Sequence, residues 1–191
     1  VLTFTFDTNC IVDVDLGREA APAILELVSA FREGRCDVAF VAVSASEKQE
    51  GDYYLPTFDI FSTRLNELGL GDVSSILGMS YNDMSYIGHA IIVDENMLSR
   101  ERQFHEALFP NTDFKASEYV ARMRPTSDEQ EMKYKKRWRN AWCDRQMIWA
   151  HEYHGRDVFV TSDKNFRRKL AGKDGFAHLK ICTPFEAVAM W

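Results

Sequence analysis

Residues 140–166 read NAWCDRQMIWAHEYHGRDVFVTSDKNF, and the fold is decided there. Trp142, Gln146, Trp149 and Tyr153 recur at helical spacing, which predicts one packed helix face closed by Gly155, a residue free to take positive φ. Residues 158–160, VFV, follow at once, with the β-branched and aromatic composition of a strand buried on both faces. Thr161, Ser162 and Asp163 end it. Open α/β sheets keep their chemistry at the carboxyl ends of parallel strands. Asp163 therefore marks a candidate site, and Asp144 lies on the helix feeding that strand.

The amino-terminal end repeats this junction. Residues 2–6 compose a strand that stops at Asp7-Thr8-Asn9, short polar residues suited to a turn at a sheet edge. Capping of the next helix is the competing role for Asp7 and Asn9. Residues 20–31 are amphipathic, with Pro22 in the first turn and Gly34 as the stop, and residues 38–43 form the next apolar strand, followed by Ser44-Ala45-Ser46-Glu47. Strand, helix and strand within some forty residues form a βαβ unit with parallel strands. Asp7 and Glu47 then leave the sheet at the same edge.

The centre is read more coarsely. Residues 58–68 and 94–108 look helical, residues 86–93 suit a helix or a strand, and the acids in Asn82-Asp83 and Asp94-Glu95 have no assigned role. Residues 51–125 are expected to be a mostly helical insertion or lid within one domain spanning residues 1–191. Ser127 with Gln130 resembles a capping box that opens a helix running to Tyr153; Thr183 with Glu186, and Pro184 between them, opens the last helix, which ends near Met190. Residues 180–182 are the final strand.

Cys10, Cys36, Cys143 and Cys182 are scattered without metal or redox spacing, which predicts buried thiols. The five histidines lack zincin spacing, and His151 and His154 read as packing residues. VLTFTFDTN has no basic, apolar leader and no apolar run is long enough to span a bilayer, so a cytoplasmic protein without a membrane partner is expected. The net charge of −6 is unevenly spread: residues 133–173 carry 12 basic and 4 acidic residues, a net of +8. Lys133, Lys135, Lys136, Arg137 and Arg139 interleave with Tyr134 and Trp138, and Lys164, Arg167, Arg168 and Lys169 follow Asp163. Cations with aromatics suit the phosphate backbone and bases of a single strand, while ordinary amphipathic packing explains the aromatics almost as well.

Asp7, Glu47, Asp144 and Asp163 gain force together. Crowded carboxylates repel unless a cation compensates them, and oxygen ligands without His or Cys select Mg²⁺ or Mn²⁺. Such an ion can activate water against a phosphodiester. The order strand-DTN, strand-SxSE, helical Asp, then GRDVFVTSDKNF resembles the PIN-domain family of metal-dependent ribonucleases, which includes VapC-type toxins of toxin-antitoxin pairs. The resemblance implies a three-layer α/β/α sandwich around a parallel sheet of about five strands, with Asp7, Glu47, Asp144 and Asp163 as metal-holding catalytic acids. Asn9, Thr161 and Ser162 would support them, and an antitoxin or other protein partner and a homodimer come with the same family. Two other readings compete: a catalytically silent module of the same fold that binds RNA or protein, and a phosphatase with a nucleophilic Asp7, which would need an acid where Asn9 stands.

Overall fold

The computed structural model describes residues 1–47, 54–82 and 84–190, so Asp83 and the first three residues of the central segment lie outside the described residues. The sheet is built on β1 (Leu2–Phe6), whose Phe4, Thr5 and Phe6 are fully buried. A strand apolar on both faces can only sit between neighbours. β1 pairs in parallel with β2 (Cys36–Val41) on one side and with a later strand (Val158–Val160) on the other.

The segment between them supplies β3 (Ser74–Ile76), which joins the edge beyond β2, and a separate parallel pair, β4 (Gly78–Met79) with β5 (Ala90–Ile91). Numbering the later strands β6 (Val158–Val160) and β7 (Lys180–Cys182), the main sheet runs β3-β2-β1-β6-β7, all parallel.

Alternation along the strands divides the core in two. Phe4, Phe6, Val38, Phe40, Val158 and Val160 face one side, where α1 (Thr8–Asp15), α2 (Ala21–Arg32), α3 (Phe58–Glu67) and α8 (Pro184–Val188) cover them. Val41, Phe159 and Ile181 face the other, under α4 (Glu95–Leu108), α5 (Ala116–Met123), α6 (Asp128–Tyr153) and α7 (Lys164–Leu170). Period-two side chains thus produce the three-layer α/β/α sandwich with its five-stranded parallel sheet. All four cysteines are buried free thiols. Among the described residues no helix is long and apolar enough to cross a membrane.

Local chemistry sets most element ends. Gly155 closes α6 at φ 61°, and Thr183 and Glu186 form the reciprocal capping box of α8. At the start of α6 only half the expected box forms. Ser127 accepts from the Gln130 N–H, but the Gln130 side chain accepts from the Thr126 N–H at 3.0 Å instead of from Ser127. β2 stops at Val41, two residues before the expected end, because the small residues Ala42, Ser44, Ala45 and Ser46 wind into a buried 3₁₀ turn. Tyr153 leaves the packed face of α6: it is half exposed and stacks on Trp149 with ring centroids 4.7 Å apart.

The basic run is less of a surface than its count suggests. Arg145 is fully buried, its Nε donating to Glu101 Oε1 at 2.6 Å, while Gln146 and Tyr81 donate to the same carboxylate. Arg156 turns inward to Asp37 at 2.7 Å. The Glu101 network clamps α4 to α6. Removing one partner of such a buried pair strands the other charge, so Glu101→Ala should lower unfolding stability by about 3–5 kcal/mol. In urea titration, Lys133→Ala on the exposed face of α6 should stay within about 0.5 kcal/mol of wild type.

Candidate active site

The register of the parallel ladder gathers the acids. Phe6 lies opposite Val160 and Phe40, so the residues that follow each strand leave the sheet side by side. The ladder runs one bond further: the Asp7 N–H donates to Val160 O and the Thr161 N–H to Cys182 O, both at 3.0 Å. Asp7 is 1% exposed and occupies the N-cap position of α1, yet its side chain makes no capping bond. It turns instead to Thr161, whose hydroxyl donates to Asp7 Oδ2 at 2.6 Å, and to Asn9, whose amide donates to the same oxygen at 2.9 Å.

Thr161 joins two of the acids. Its Oγ1 also accepts from the Asp163 N–H at 2.9 Å. Asp163 does cap a helix: its Oδ1 accepts from the Asn165 N–H at 2.7 Å at the start of α7. Capping and membership of the cluster coexist there, since the charge of Asp163 acts on both Asp7 and Asp144.

Glu47 arrives from the 3₁₀ turn after β2, which is pinned to α6 by the Arg139 guanidinium donating to Ser46 O at 2.9 Å. Arg139, expected among the RNA-holding cations, also stacks on the Tyr54 ring at 3.8 Å, and its geometry makes it a positioning residue. Asp144 comes from the buried half of α6, between Cys143 and Arg145, both fully buried. Ser162 points elsewhere: its hydroxyl donates to Asp13, a buried acid on α1 paired with Arg18.

The charges of the acids act on one another. Burial pushes Asp7 up to about 6, against the hydrogen bonds from Thr161, Asn9 and the Thr8 backbone, and the Asp163 charge adds to the rise. Burial and the charge of Asp7 push Glu47 up to about 7, with the Thr8 hydroxyl holding it back in part. Asp144 rises well above the usual carboxylate range through burial and then the charges of Glu47, Asp7 and Asp163; the Lys169 ammonium offsets part of this. Thr8 is a supporting residue that the motif reading passed over, although it stands inside the DTN triplet.

The donor chemistry, hard oxygens without nitrogen or sulfur, fits Mg²⁺ or Mn²⁺. The spacing is open: among the described residues, no three Asp, Glu, His or Cys side chains are arranged, as they stand, to hold an ion. A bound cation would have to draw the carboxylates closer. Two hollows reach them. A cleft of about 430 Å³ between α1 and α3 includes Thr8, Asp15, Arg18, Glu47, Arg64 and Asn140 in its lining. A smaller cavity of about 90 Å³ is lined by Asp144, Asp163, Asn165, Lys169, Leu108 and Phe109, among others.

Of the other expected RNA-holding residues, Lys133, Lys135, Arg137, Lys164, Arg167 and Arg168 are exposed, and Lys136 and Lys169 are half-buried. Lys135 pairs with Glu131 and Arg167 with Glu186. Comparison with known protein families, with curated proteins and with solved structures gives no match to this chain.

An acid whose folded pKa is raised keeps its proton where the unfolded chain has lost it, so stability falls as pH climbs from the unfolded value through the folded one. Without divalent cations, Asp7 and Glu47 should therefore draw the melting temperature down between about pH 4 and about pH 7; His151, lowered to about 4 chiefly by burial, acts in the opposite sense up to about pH 6.5, so the decline should be clearest from there upward. At about 1.4 kcal/mol per pKa unit, Asp7 alone contributes a loss of about 3 kcal/mol. The exposed Asp157 and Glu186 carboxyls, held low by hydrogen bonds, act in the opposite sense and below that window. In EDTA at pH 8, Asp144→Asn should melt several degrees above wild type, at about 2–4 °C per kcal/mol; equal melting in calorimetry would mean that the repulsion is absent.

Proposed function

We propose that this chain is a Mg²⁺- or Mn²⁺-dependent ribonuclease that hydrolyses phosphodiester bonds in single-stranded or looped RNA. One observation carries the reading: carboxylates from four separate elements converge at the carboxyl edge of a parallel sheet, where burial and the neighbouring charges raise the proton affinity of Asp7, Glu47 and Asp144. Helix capping accounts for the place of Asp163 but not for that of Asp7. A divalent cation relieves the repulsion, and the resemblance of the DTN, SxSE and TSD segments to the PIN-domain family points to the same chemistry.

Asp7, Asp144 and Asp163 would hold the cation, and Glu47 would hold it directly or through water. When bound, the ion supplies charge neutralisation at a phosphoryl oxygen and a more acidic water. The chain's own groups do the rest. Thr161 and Asn9 fix Asp7 Oδ2, and the Thr161 hydroxyl ties Asp7 to the start of α7. Glu47, raised to about 7 by burial and the Asp7 charge, would be brought down by a bound cation and so be ionised and able to accept a proton from water near neutral pH. Lys133, Lys136, Arg137, Lys164 and Arg168 would track the RNA backbone, so binding should weaken as salt rises.

The open spacing of the acids, together with the Lys169 ammonium beside Asp144, favours a second reading: a catalytically silent module that binds RNA or protein. Titration calorimetry with Mn²⁺ and cleavage of an end-labelled single-stranded RNA separate the two. The nuclease reading expects Mn²⁺ binding, cleavage abolished by EDTA, and a loss of at least about 100-fold in Asp163→Asn, the scale on which removing one electrostatic stabiliser acts. Cleavage that survives EDTA, or that Asp163→Asn leaves intact, would refute it.

A further inference from the structure

The two hollows that reach the acids differ in charge, and that difference selects the side from which an anionic strand can approach. In the α1–α3 cleft the cations are already neutralised. Arg18 pairs with Asp13 at 3.3 Å, and Arg64 pairs with both Asp15 and Glu67. Its lining carries two acids, Asp15 and Glu47, against two bases, Arg18 and Arg64, and both bases are taken up by carboxylates, which leaves that cleft no cation outside an ion pair to meet a phosphate.

The α4–α7 cavity is built differently. The Lys169 ammonium donates to the Leu108 carbonyl at the carboxyl end of α4 and lies 5.3 Å from the centre of the Phe109 ring. Both partners are uncharged. Lys169 is therefore held in place by uncharged partners, and its charge acts on Asp144 across a wall that also contains Asp163 and Asn165. Lys164 and Arg168 stand exposed on the same helix, and the Arg168 guanidinium donates to the Asn165 side chain at 2.6 Å. A fixed cation in a cavity of about 90 Å³ beside two carboxylates matches the two charges that meet at a metal-assisted phosphodiester, the anionic oxygens and the ion.

We infer that the single strand enters from the α4–α7 side, and that Lys169 contacts a phosphate oxygen next to the acids while the α1–α3 cleft stays outside its path. The inference rests on the ribonuclease reading for the reaction but not for the contact itself, which binding alone can report. Lys169 then belongs to the site, not to a diffuse basic surface, and its partners Leu108 and Phe109 set its position.

The test uses the full chain and a fluorescein-labelled single-stranded RNA oligonucleotide, with affinity measured in EDTA over a salt series and cleavage measured in Mn²⁺. Lys169→Met should bind the oligonucleotide about tenfold more weakly and lose about 0.7 from the log–log salt slope, one phosphate contact on a single strand. Cleavage should fall at least as far, Mn²⁺ affinity should not fall, and Lys169→Arg should recover most of the binding. Arg64→Met, in the opposite cleft, should match wild type in both assays. Wild-type affinity and slope in Lys169→Met, or the larger loss in Arg64→Met, would overturn the inference. Binding that depends on Lys169 without any cleavage would leave the contact standing and defeat the nuclease reading; absence of both binding and cleavage would defeat both.

Discussion

Parallel pairing of β1 with β6 is the constraint on which the site depends. Opposing Phe6 to Val160 fixes where both chains leave the sheet, and the Asp7 N–H bond to Val160 O extends that register to the first acid. A shift of one residue would exchange the two faces of a strand and send Asp7 away from Thr161. Such a slip is opposed from both sides, because Val158 and Val160 fill one core while Phe159 fills the other. The repelling carboxylates are thus held by hydrophobic packing behind them and not by any attraction among themselves.

Helix α6 is the second support. Its carboxyl half is buried almost all round, a helix passing through the core and not lying on it. Arg145 and Gln146, immediately after Asp144, both bond Glu101 on α4, and Gln146 Oε1 accepts the Met79 N–H at 2.9 Å. Five residues before Asp144, Arg139 holds the 3₁₀ turn that delivers Glu47. The rotation of α6 is therefore fixed on both sides of the acid it carries, and one side chain reaches across to position a second acid. Charged groups inside a protein are costly unless paired. Here the pairing of Arg145 with Glu101 lets the uncompensated charge be confined to the acid cluster.

Much of this could be read from residues alone, and the failures share physical causes. β1 and β6 are legible because their apolar runs end in turn chemistry, and the capping boxes and Gly155 mark helix ends through local bonds. β3 is three residues long, two of them exposed serines, so neither periodicity nor composition announces it; only pairing with β2 makes it a strand. Val43 looks like strand by propensity, yet the small residues around it allow a tighter turn, and tertiary burial decides. Charge counting is blind to direction. Arg145 and Arg156 add to the basic run in sequence while facing inward in the fold, and Ser162, next to two site residues, points to Asp13.

How Asp7 is hydrogen-bonded bears on why a buried acid is tolerated there. Both side-chain donors, Thr161 and Asn9, fall on Oδ2, and among the described residues no side chain donates to Oδ1. A carboxylate buried for stability alone would be saturated, since each missing bond in a dry site costs on the order of 1–3 kcal/mol. Asymmetric donation does something else. It locks the plane of the group and favours its charged form in part, with the Thr8 backbone N–H as the remaining donor. The same logic extends to Glu47 and Asp144: carboxylates whose proton affinity is raised by their neighbours' charges are relieved by a doubly charged ion more than by a single proton. That difference in charge is what would let binding of a cation, and not acidification, return the stability that the cluster takes away.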